Sequence, residues 1–568
     1  MTGRQNAGRI VLAIAAAGAL SAGAWAQSAG DLTKDHTTVG DVLVYGMGYG
    51  AKRYSPLTRI NKFNVSRLVP KWGFSITDNR GAEAFPVIKD GVIYTTAHNA
   101  TIAVDAMTGR QIWRTNHDYP PDTLRVVCCG IVNRGAAMYE GMIIRALMDN
   151  RVVALEAKTG KQIWESISPE PATPANGYSM TGAPLIANGV VIVGVAGAEY
   201  GHRGFIEGYD AKTGKHLWRH YNIPAAGEPG AETWPADAIK VGGGSSWVTG
   251  TYDPELNLVF WGTGNPSPWN ALTRPGDNLY TNSIVALKPK TGERVWHYQA
   301  SPNDPFDYDG VGQPIVGKLN VGGAPRKVVM QANRNGFLYV LDAGSGKLLA
   351  ANAFGKVTWA TGIDMKTGRP MFTDAYRGAI AGKKVTVWPS VSGVTNWQHA
   401  SFDPTNGMMY INTLHIGMTY EAKPMTKPLA AGKPSGPGTV KRTQVLEDPN
   451  VRGYLKAVDP LTGKEKWSVP FKSPNYSSTL VTAGGIVFTG VMTGEFQAHD
   501  AETGKLLWSF QTPSGIVGQP VTWEKDGKQY VTVMSGIGGV YALRVGDPNL
   551  KNVPAGASLW TFQLFEGS

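Results

Sequence analysis

Two carboxylates separated by a single residue, Asp307 and Asp309 in Asn303-Asp304-Pro305-Phe306-Asp307-Tyr308-Asp309-Gly310, hold the clearest chemical potential in this chain. Along an extended backbone alternate side chains share a face, so both carboxylates project together and Tyr308 projects away. Like charges crowded into one small space call for a cation between them or a proton on one of them. Either remedy leads to chemistry, through a centre of oxygen donors or through an acid–base group. The competing reading is a solvated Asp-rich turn closed by Gly310.

A second unusual pair is Cys128-Cys129, the only cysteines in the sequence. Neighbouring Cα atoms sit about 3.8 Å apart, closer than a relaxed disulfide prefers. A bond between them would be strained, and such strain gathers at sites more than in frameworks. Two free buried thiols are the alternative. Other chemistries lose support. The sequence has no Gly-x-Ser-x-Gly elbow, no phosphate loop, no His-Glu-x-x-His and no Cys-x-x-Cys-His for haem, which argues against a hydrolase and a self-contained cytochrome. Gly46-Met47-Gly48-Tyr49-Gly50-Ala51 superficially fits a dinucleotide fingerprint, but Pro56 and the polar stretch after it leave no helix to follow, so it reads as a loop.

Export is expected. Arg4 and Arg9, an apolar run from Ile10 to Leu20 and Ala24-Trp25-Ala26 make residues 1–26 a cleavable signal peptide. The run is short for a membrane anchor and holds no Cys for lipidation, and no later stretch approaches the ~18 apolar residues of a span. Loss of the leader removes two Arg and no acid, taking the formal charge from +11 to +9. Lys and Arg are scattered, without a basic helix or aromatic-basic box, so an acidic partner fits better than nucleic acid.

The elements that must position these groups announce themselves as a repeat. Ala103-Val104-Asp105-Ala106-Met107-Thr108-Gly109-Arg110-Gln111-Ile112-Trp113 recurs ending at Trp164, Trp218, Trp296, Trp467 and Trp508. A seventh copy at Val340 to Lys347 has Ala350 where the Trp belongs. Each copy reads as a strand, a turn held by Asp and Thr-Gly, and a returning strand ending in Trp, which can pack on the next unit. With 71 Gly, 36 Pro, 17 Trp and 22 Tyr, the composition is that of an all-β protein rich in turns. The 117-residue gap from Asp342 to Asp459 has room for a degenerate unit near Phe402-Asp403-Pro404, and the 78-residue gap from Asp210 to Lys288 for an inserted hairpin or long loop. These spacings predict an all-β, eight-bladed β-propeller with tryptophan-docking repeats, one domain over residues 27–568, closed by Val65 to Trp72 pairing with C-terminal strands. Lys423 to Arg442, rich in Pro, Gly, Lys and Ala, is expected as a long surface loop.

The Trp repeat, the Cys-Cys pair and Asp307 together resemble the quinoprotein alcohol dehydrogenases, eight-bladed propellers that use pyrroloquinoline quinone and a metal; the resemblance spans almost the whole mature chain. It implies that Cys128 and Cys129 form a vicinal disulfide over one face of the quinone, with Trp247 covering the other. Glu83, Arg134, Thr181, Arg334, Asn396 and Trp397 match further cofactor contacts, and Gly197 and Ala198 bring backbone amides to a cofactor carboxylate. Ala196 stands where some members carry Ser, so one hydrogen bond is missing there. The implied metal ligands are Glu199, Asn265, Asp307 and Asp309, oxygen donors that suit a hard cation. Calcium-dependent members usually carry Ala where this chain has Asp309, and lanthanide-dependent members carry Asp; one lanthanide ion is therefore expected, with Ca2+ as the alternative. Asp307 matches the catalytic base that accepts the hydroxyl proton while hydride moves to the quinone. The implied activity is periplasmic oxidation of a small primary alcohol to an aldehyde, with a soluble cytochrome c as electron acceptor. A homodimer is compatible with the sequence, which does not fix the assembly or the alcohol. The rival is a non-enzymatic propeller scaffold of the outer-membrane assembly type, which has no reason to combine the Cys pair with Glu199, Asn265, Asp307 and Asp309.

Overall fold

The strand–turn–strand repeats build antiparallel sheets that follow one another along the chain. A computed structural model describes residues 28–127, 130–425, 432–434, 439–538 and 546–566; the expected leader and the Cys128-Cys129 pair lie outside the described residues. Val87–Lys89, Val92–Ala97, Ala100–Asp105 and Gln111–Asn116 form one four-stranded sheet in chain order. The pattern recurs in sheets that begin at Ala137, Leu185, Thr251, Ile315 and Ser401. The sheet beginning at Thr479 gains Tyr54–Ser55 as a parallel fifth strand. The last sheet joins both ends of the chain, with Leu68–Ser75 antiparallel to Ser558–Leu564, Leu68 opposite Leu564 and Ser75 opposite Ser558. The chain is an all-β propeller.

Burial follows strand position. Second and third strands such as Val92–Ala97 and Ala100–Asp105 are almost wholly buried, because neighbouring sheets cover both of their faces. Fourth strands are edges: in Gln111–Asn116 only Trp113 is buried. Its indole Nε1 donates to Ala157 O at 2.9 Å, and Trp218, Trp296 and Trp467 donate to Pro289, Ala343 and Ala501 at 3.0–3.1 Å. Each acceptor directly follows the Asp position of the next repeat. Trp72, on the strand that joins the two ends, donates likewise to Ala106 O at 2.9 Å. The turn glycine completes the contact: a Cβ on Gly160, whose φ is +70°, would stand 2.6 Å from the Trp113 ring. In the unit that lacks Trp, Asn352 substitutes and donates to Leu461 O at 2.9 Å.

Two expectations are corrected. Phe402-Asp403-Pro404 is not a separate unit; Ser401–Phe402 and Met409–Leu414 are the first two strands of the sheet that carries the Asp459 repeat. The long gap is filled instead by the helix Asp374–Ile380, the small hairpin of Ala360–Ile363 with Pro370–Phe372, and a three-stranded sheet of Val385–Val387, Gly417–Ala422 and Val440–Val445. The stretch 423–442 is therefore not all loop, since its last residues lie in a strand. In the other gap, the described residues between Tyr221 and Thr251 form a long loop with two short 3-10 turns and no hairpin.

The topology decides where a site can form. In a four-stranded antiparallel unit, the segment entering the first strand and the loop between the second and third strands lie at one end, and the repeat turn lies at the other. Glu83, Arg134, Thr181, Trp247, Asp307, Asp309 and Asn396 all precede first strands. Glu199, Asn265 and Arg334 lie between second and third strands. Residues spread over most of the sequence thus converge on one face, opposite the Asp and Gly turns.

Candidate functional site

The segment Asn303–Gly310 is a loop, which corrects the extended geometry expected for it. Asp307 has φ +70° and Asn303 φ +47°, left-handed values that a strand does not contain. The organiser is Asp304, buried at 2 % exposure. Its Oδ1 accepts from Phe306 N at 2.8 Å and its Oδ2 from Tyr308 N at 2.6 Å. Arg274, also buried, donates to Asp304 O at 2.5 Å and to Asn278 Oδ1 at 2.8 Å. Tyr308 points away from the carboxylates and donates to Pro389 O at 2.6 Å. The loop still delivers both Asp307 and Asp309 to one cavity of about 310 Å³.

That cavity is also lined by Arg134, Thr181, Gly197, Glu199, Trp247, Arg334 and Asn396. Arg134 lies 2.8 Å from Glu83 Oε2, donates to Thr181 Oγ1 at 2.8 Å and holds its guanidinium 4.8 Å from the centre of the Trp247 ring. Burial raises the Glu83 carboxyl pKa and Arg134 pulls it back. Gly197 needs its φ of +105°, and a Cβ there would meet Gly177 O at 2.2 Å; Glu199 follows in the 3-10 turn Ala198–Tyr200. Asn396 Nδ2 donates to Ser392 O at 3.0 Å. Trp397 stacks on Tyr476, ring centres 4.4 Å apart, and Tyr476 rather than Trp397 reaches the cavity wall. Gly130 and Val132, which follow the Cys pair in the sequence, also line the cavity.

Asp309 Oδ1 accepts from the backbone N of Asn265 at 2.7 Å, and Oδ2 accepts from Arg334 Nη1 at 2.5 Å. Asn265 is buried, and its Oδ1 has no hydrogen-bond partner among the described residues. Asp307 is approached by Arg334 at 3.8 Å and by Arg442 at 3.7 Å. Burial raises the Asp307 pKa well above the usual carboxylate range; Arg334 and Arg442 oppose this, and Asp309 and Glu199 add to it. The donors around the cavity are all oxygen, which suits a hard cation, although no three His, Cys, Asp or Glu side chains among the described residues form a ready metal cluster. Unpartnered buried groups at Asn265 Oδ1, Asn396 Oδ1 and Arg134 Nε fit a ligand that brings both acceptors and a cation.

The residue sequence reasoning missed is Arg442. It lies at the end of a stretch read as loop, yet strand Val440–Val445 pairs with Gly417–Ala422 and brings it to the cavity, its guanidinium 4.4 Å from the Trp269 ring centre. Trp269 was also missed, though it lies only four residues beyond Asn265.

Fold and site define a propeller with a cavity on one face lined by Glu199, Asp307 and Asp309 together with Arg134, Arg334 and Arg442. The family described as "Glucose/ethanol/alcohol dehydrogenase, beta-propeller domain" matches residues 43–353 and 441–531. The chain is 39% identical to the quinoprotein alcohol dehydrogenase PedH of Pseudomonas putida, over 94% of this chain and 93% of that one. It is 42% identical to the quinohemoprotein alcohol dehydrogenase ADH IIB of Pseudomonas putida, over 90% of this chain and 76% of that one. A europium-containing methanol dehydrogenase superposes with a TM-score of 0.88 at 33% identity, covering 94% of this chain and all of its own. The chain belongs to the pyrroloquinoline quinone-dependent alcohol dehydrogenases. Alcohol oxidation is the activity this membership supports, and the scaffold alternative is not favoured.

Proposed function

We propose that this chain oxidises small primary alcohols to aldehydes in the periplasm, delivered there by the leader 1–26, and passes the electrons to a soluble cytochrome c. The observation that carries the reading is the meeting of Glu199, Asp307 and Asp309 with Arg134, Arg334 and Trp247 around one cavity. The propeller frame is read as eight blades, seven marked by the repeats and one formed from both chain ends, docked through the tryptophan contacts, in a single domain 27–568. Trp247 and the Cys128-Cys129 disulfide would enclose the quinone; Glu83, Arg134, Thr181, Gly197, Ala198, Arg334, Asn396 and Trp397 would hold its edge. Glu199, Asn265, Asp307 and Asp309 would hold the cation.

When bound, the quinone supplies a two-electron acceptor and the cation stabilises charge that develops on it. The protein's part is positioning and proton transfer. Asp307 takes the hydroxyl proton of the alcohol at a carboxylate oxygen; burial raises its pKa and so strengthens it as a base, and Arg334 and Arg442 oppose part of that rise. Asp304 and Arg274 fix the loop that aims it. With no Cys-x-x-Cys-His in the sequence, electrons leave to a separate acceptor.

We read the cation as one lanthanide ion. Three carboxylates beside neutral Asn265 leave excess negative charge around a divalent ion, and a trivalent ion offsets more of it. A second reading, Ca2+, is favoured by the Arg334–Asp309 pair, which already offsets one carboxylate. Each Asp309 oxygen nevertheless retains a second lone pair for a cation. Metal-free protein supplied with pyrroloquinoline quinone and either calcium or lanthanum, assayed for alcohol-dependent dye reduction, tests both levels. Activity with neither metal would remove the enzymatic reading; full activity with calcium and none with lanthanum would remove the lanthanide.

A further inference from the structure

Arg442 is placed as a cation with one edge still to be used. Its Nη1 lies 3.7 Å from Asp307 Oδ2, too long for a hydrogen bond. Its guanidinium carbon lies over the Trp269 ring, 4.4 Å from the centre, a cation–π contact that helps hold the group in place. Its Nε and Nη2 are buried and have no hydrogen-bond partner among the described residues, and neither has Trp269 Nε1. Both side chains line the cavity beside Asp307. The uncommitted polar groups of this corner, Nε and Nη2 of Arg442 with the indole N–H of Trp269, are therefore all donors, and two belong to a permanent cation. Leaving such donors unmade in a buried site is costly. A simple aliphatic alcohol offers a single hydroxyl, which Asp307 engages, and nothing for the rest.

We propose that Arg442 binds a carboxylate on the substrate, so that the preferred alcohols of this enzyme are hydroxycarboxylates with a few carbons between the carbinol and the acid. This rests on the alcohol oxidation proposed above and names its substrate class. Nε and Nη2 lie on one edge of the guanidinium and match the two oxygens of a carboxylate in parallel, the strongest geometry open to this pair of groups. Nη1 on the far side stays toward Asp307, so the acid and the carbinol are held by neighbouring side chains and the hydroxyl is set over its base. The carbinol C–H bond breaks and its hydrogen leaves as hydride, carrying two electrons to the enzyme's acceptor, while the hydroxyl proton goes to Asp307 and the C–O bond becomes the aldehyde C=O; the carboxylate leaves unchanged in the aldehyde acid.

The test compares 4-hydroxybutyrate with 1-butanol as substrates of the holoenzyme, and measures butyrate binding to the same protein by calorimetry. The wild type should favour 4-hydroxybutyrate in kcat/KM, and Arg442→Gln should lower that ratio by about 10- to 100-fold, the worth of a lost charge-assisted contact. Butyrate should bind the wild type and weaken by a similar factor in the variant, with Arg442→Lys between the two because it keeps the charge and loses the parallel edge. Quinone and metal content are measured in every sample. An unchanged ratio with unchanged butyrate binding overturns the proposal, as does a loss of quinone content in Arg442→Gln that accounts for the whole effect. Oxidation of butanol without preference for the hydroxy acid defeats this inference and leaves alcohol oxidation standing. Butyrate binding that depends on Arg442 in a protein that oxidises neither substrate upholds the anion site and defeats the proposed reaction.

Discussion

Asp304→Asn is the perturbation that most directly probes how the fold aims its base. The two carboxylate oxygens of Asp304 accept from Phe306 N at 2.8 Å and Tyr308 N at 2.6 Å inside a segment whose side chain is 2 % exposed. Asparagine keeps the size and one acceptor oxygen but turns an –NH2 toward the other backbone N–H. One charge-assisted bond is lost and a buried donor is stranded, together about 2–4 kcal/mol if the loop stays in place. The loop can escape that cost only by shifting, and Asp307 sits between the two contacts at a φ of +70° that the bonds maintain. A displacement of ~1 Å at a reacting group lowers rate by about 10². The expected outcome is a fall in kcat of about 10- to 100-fold with weakened metal affinity, because Asp307 and Asp309 ride on the same loop. Saturating quinone and metal, with both quantified in the assayed protein, separate the two effects. A variant with wild-type kcat and wild-type metal affinity would refute the argument that Asp304 sets the geometry of the site.

Asp309→Ala should move metal preference from the lanthanide toward calcium, read as the ratio of kcat with lanthanum to kcat with calcium; an unchanged ratio removes Asp309 from the choice of ion. Gly160→Ala places a methyl 2.6 Å from the Trp113 ring at a φ of +70°, which should cost about 2–4 kcal/mol from left-handed strain and overpacking combined, seen as a lower urea midpoint; a wild-type midpoint would show that the Trp–Gly contact between neighbouring sheets is dispensable. Arg134→Met strands Glu83, buried at 4 % exposure, and removes the donor to Thr181. Breaking a buried pair costs about 3–5 kcal/mol, and quinone retention after gel filtration should fall with it; retained quinone at normal stability would sink the role given to Arg134.

The frame was legible because its signal is repeated. Asp, Thr-Gly and Trp recur at fixed offsets, and the physics of one turn holds at the next: Asp105 Oδ1 accepts from Thr108 N at 2.8 Å as Asp210 Oδ1 accepts from Thr213 N at 2.9 Å. The pairing of the chain ends was readable for the same reason, since Trp72 belongs to the series. Phe402-Asp403 misled because an Asp-containing turn closes the first hairpin of a sheet as readily as the last one. Asp307 and Asp309 were correctly brought together for an incorrect local reason: the backbone is not extended, and Asp304, whose role depends on two main-chain contacts, imposes the shared direction. Arg442 was illegible because composition marks the stretch before it as loop, and only the pairing of Val440–Val445 with Gly417–Ala422 carries its side chain to the cavity.

The central claim is that this cavity binds a quinone and a cation and that Asp307 is the base. Wild type and Asp307→Asn are loaded with pyrroloquinoline quinone and metal, the content of each is quantified, and reduction of the bound quinone on adding alcohol is followed in the near ultraviolet in a single turnover. At equal loading the variant should reduce its quinone at least about 10² more slowly, since the amide keeps the shape but cannot take the proton. Equal rates in equally loaded proteins would contradict the account.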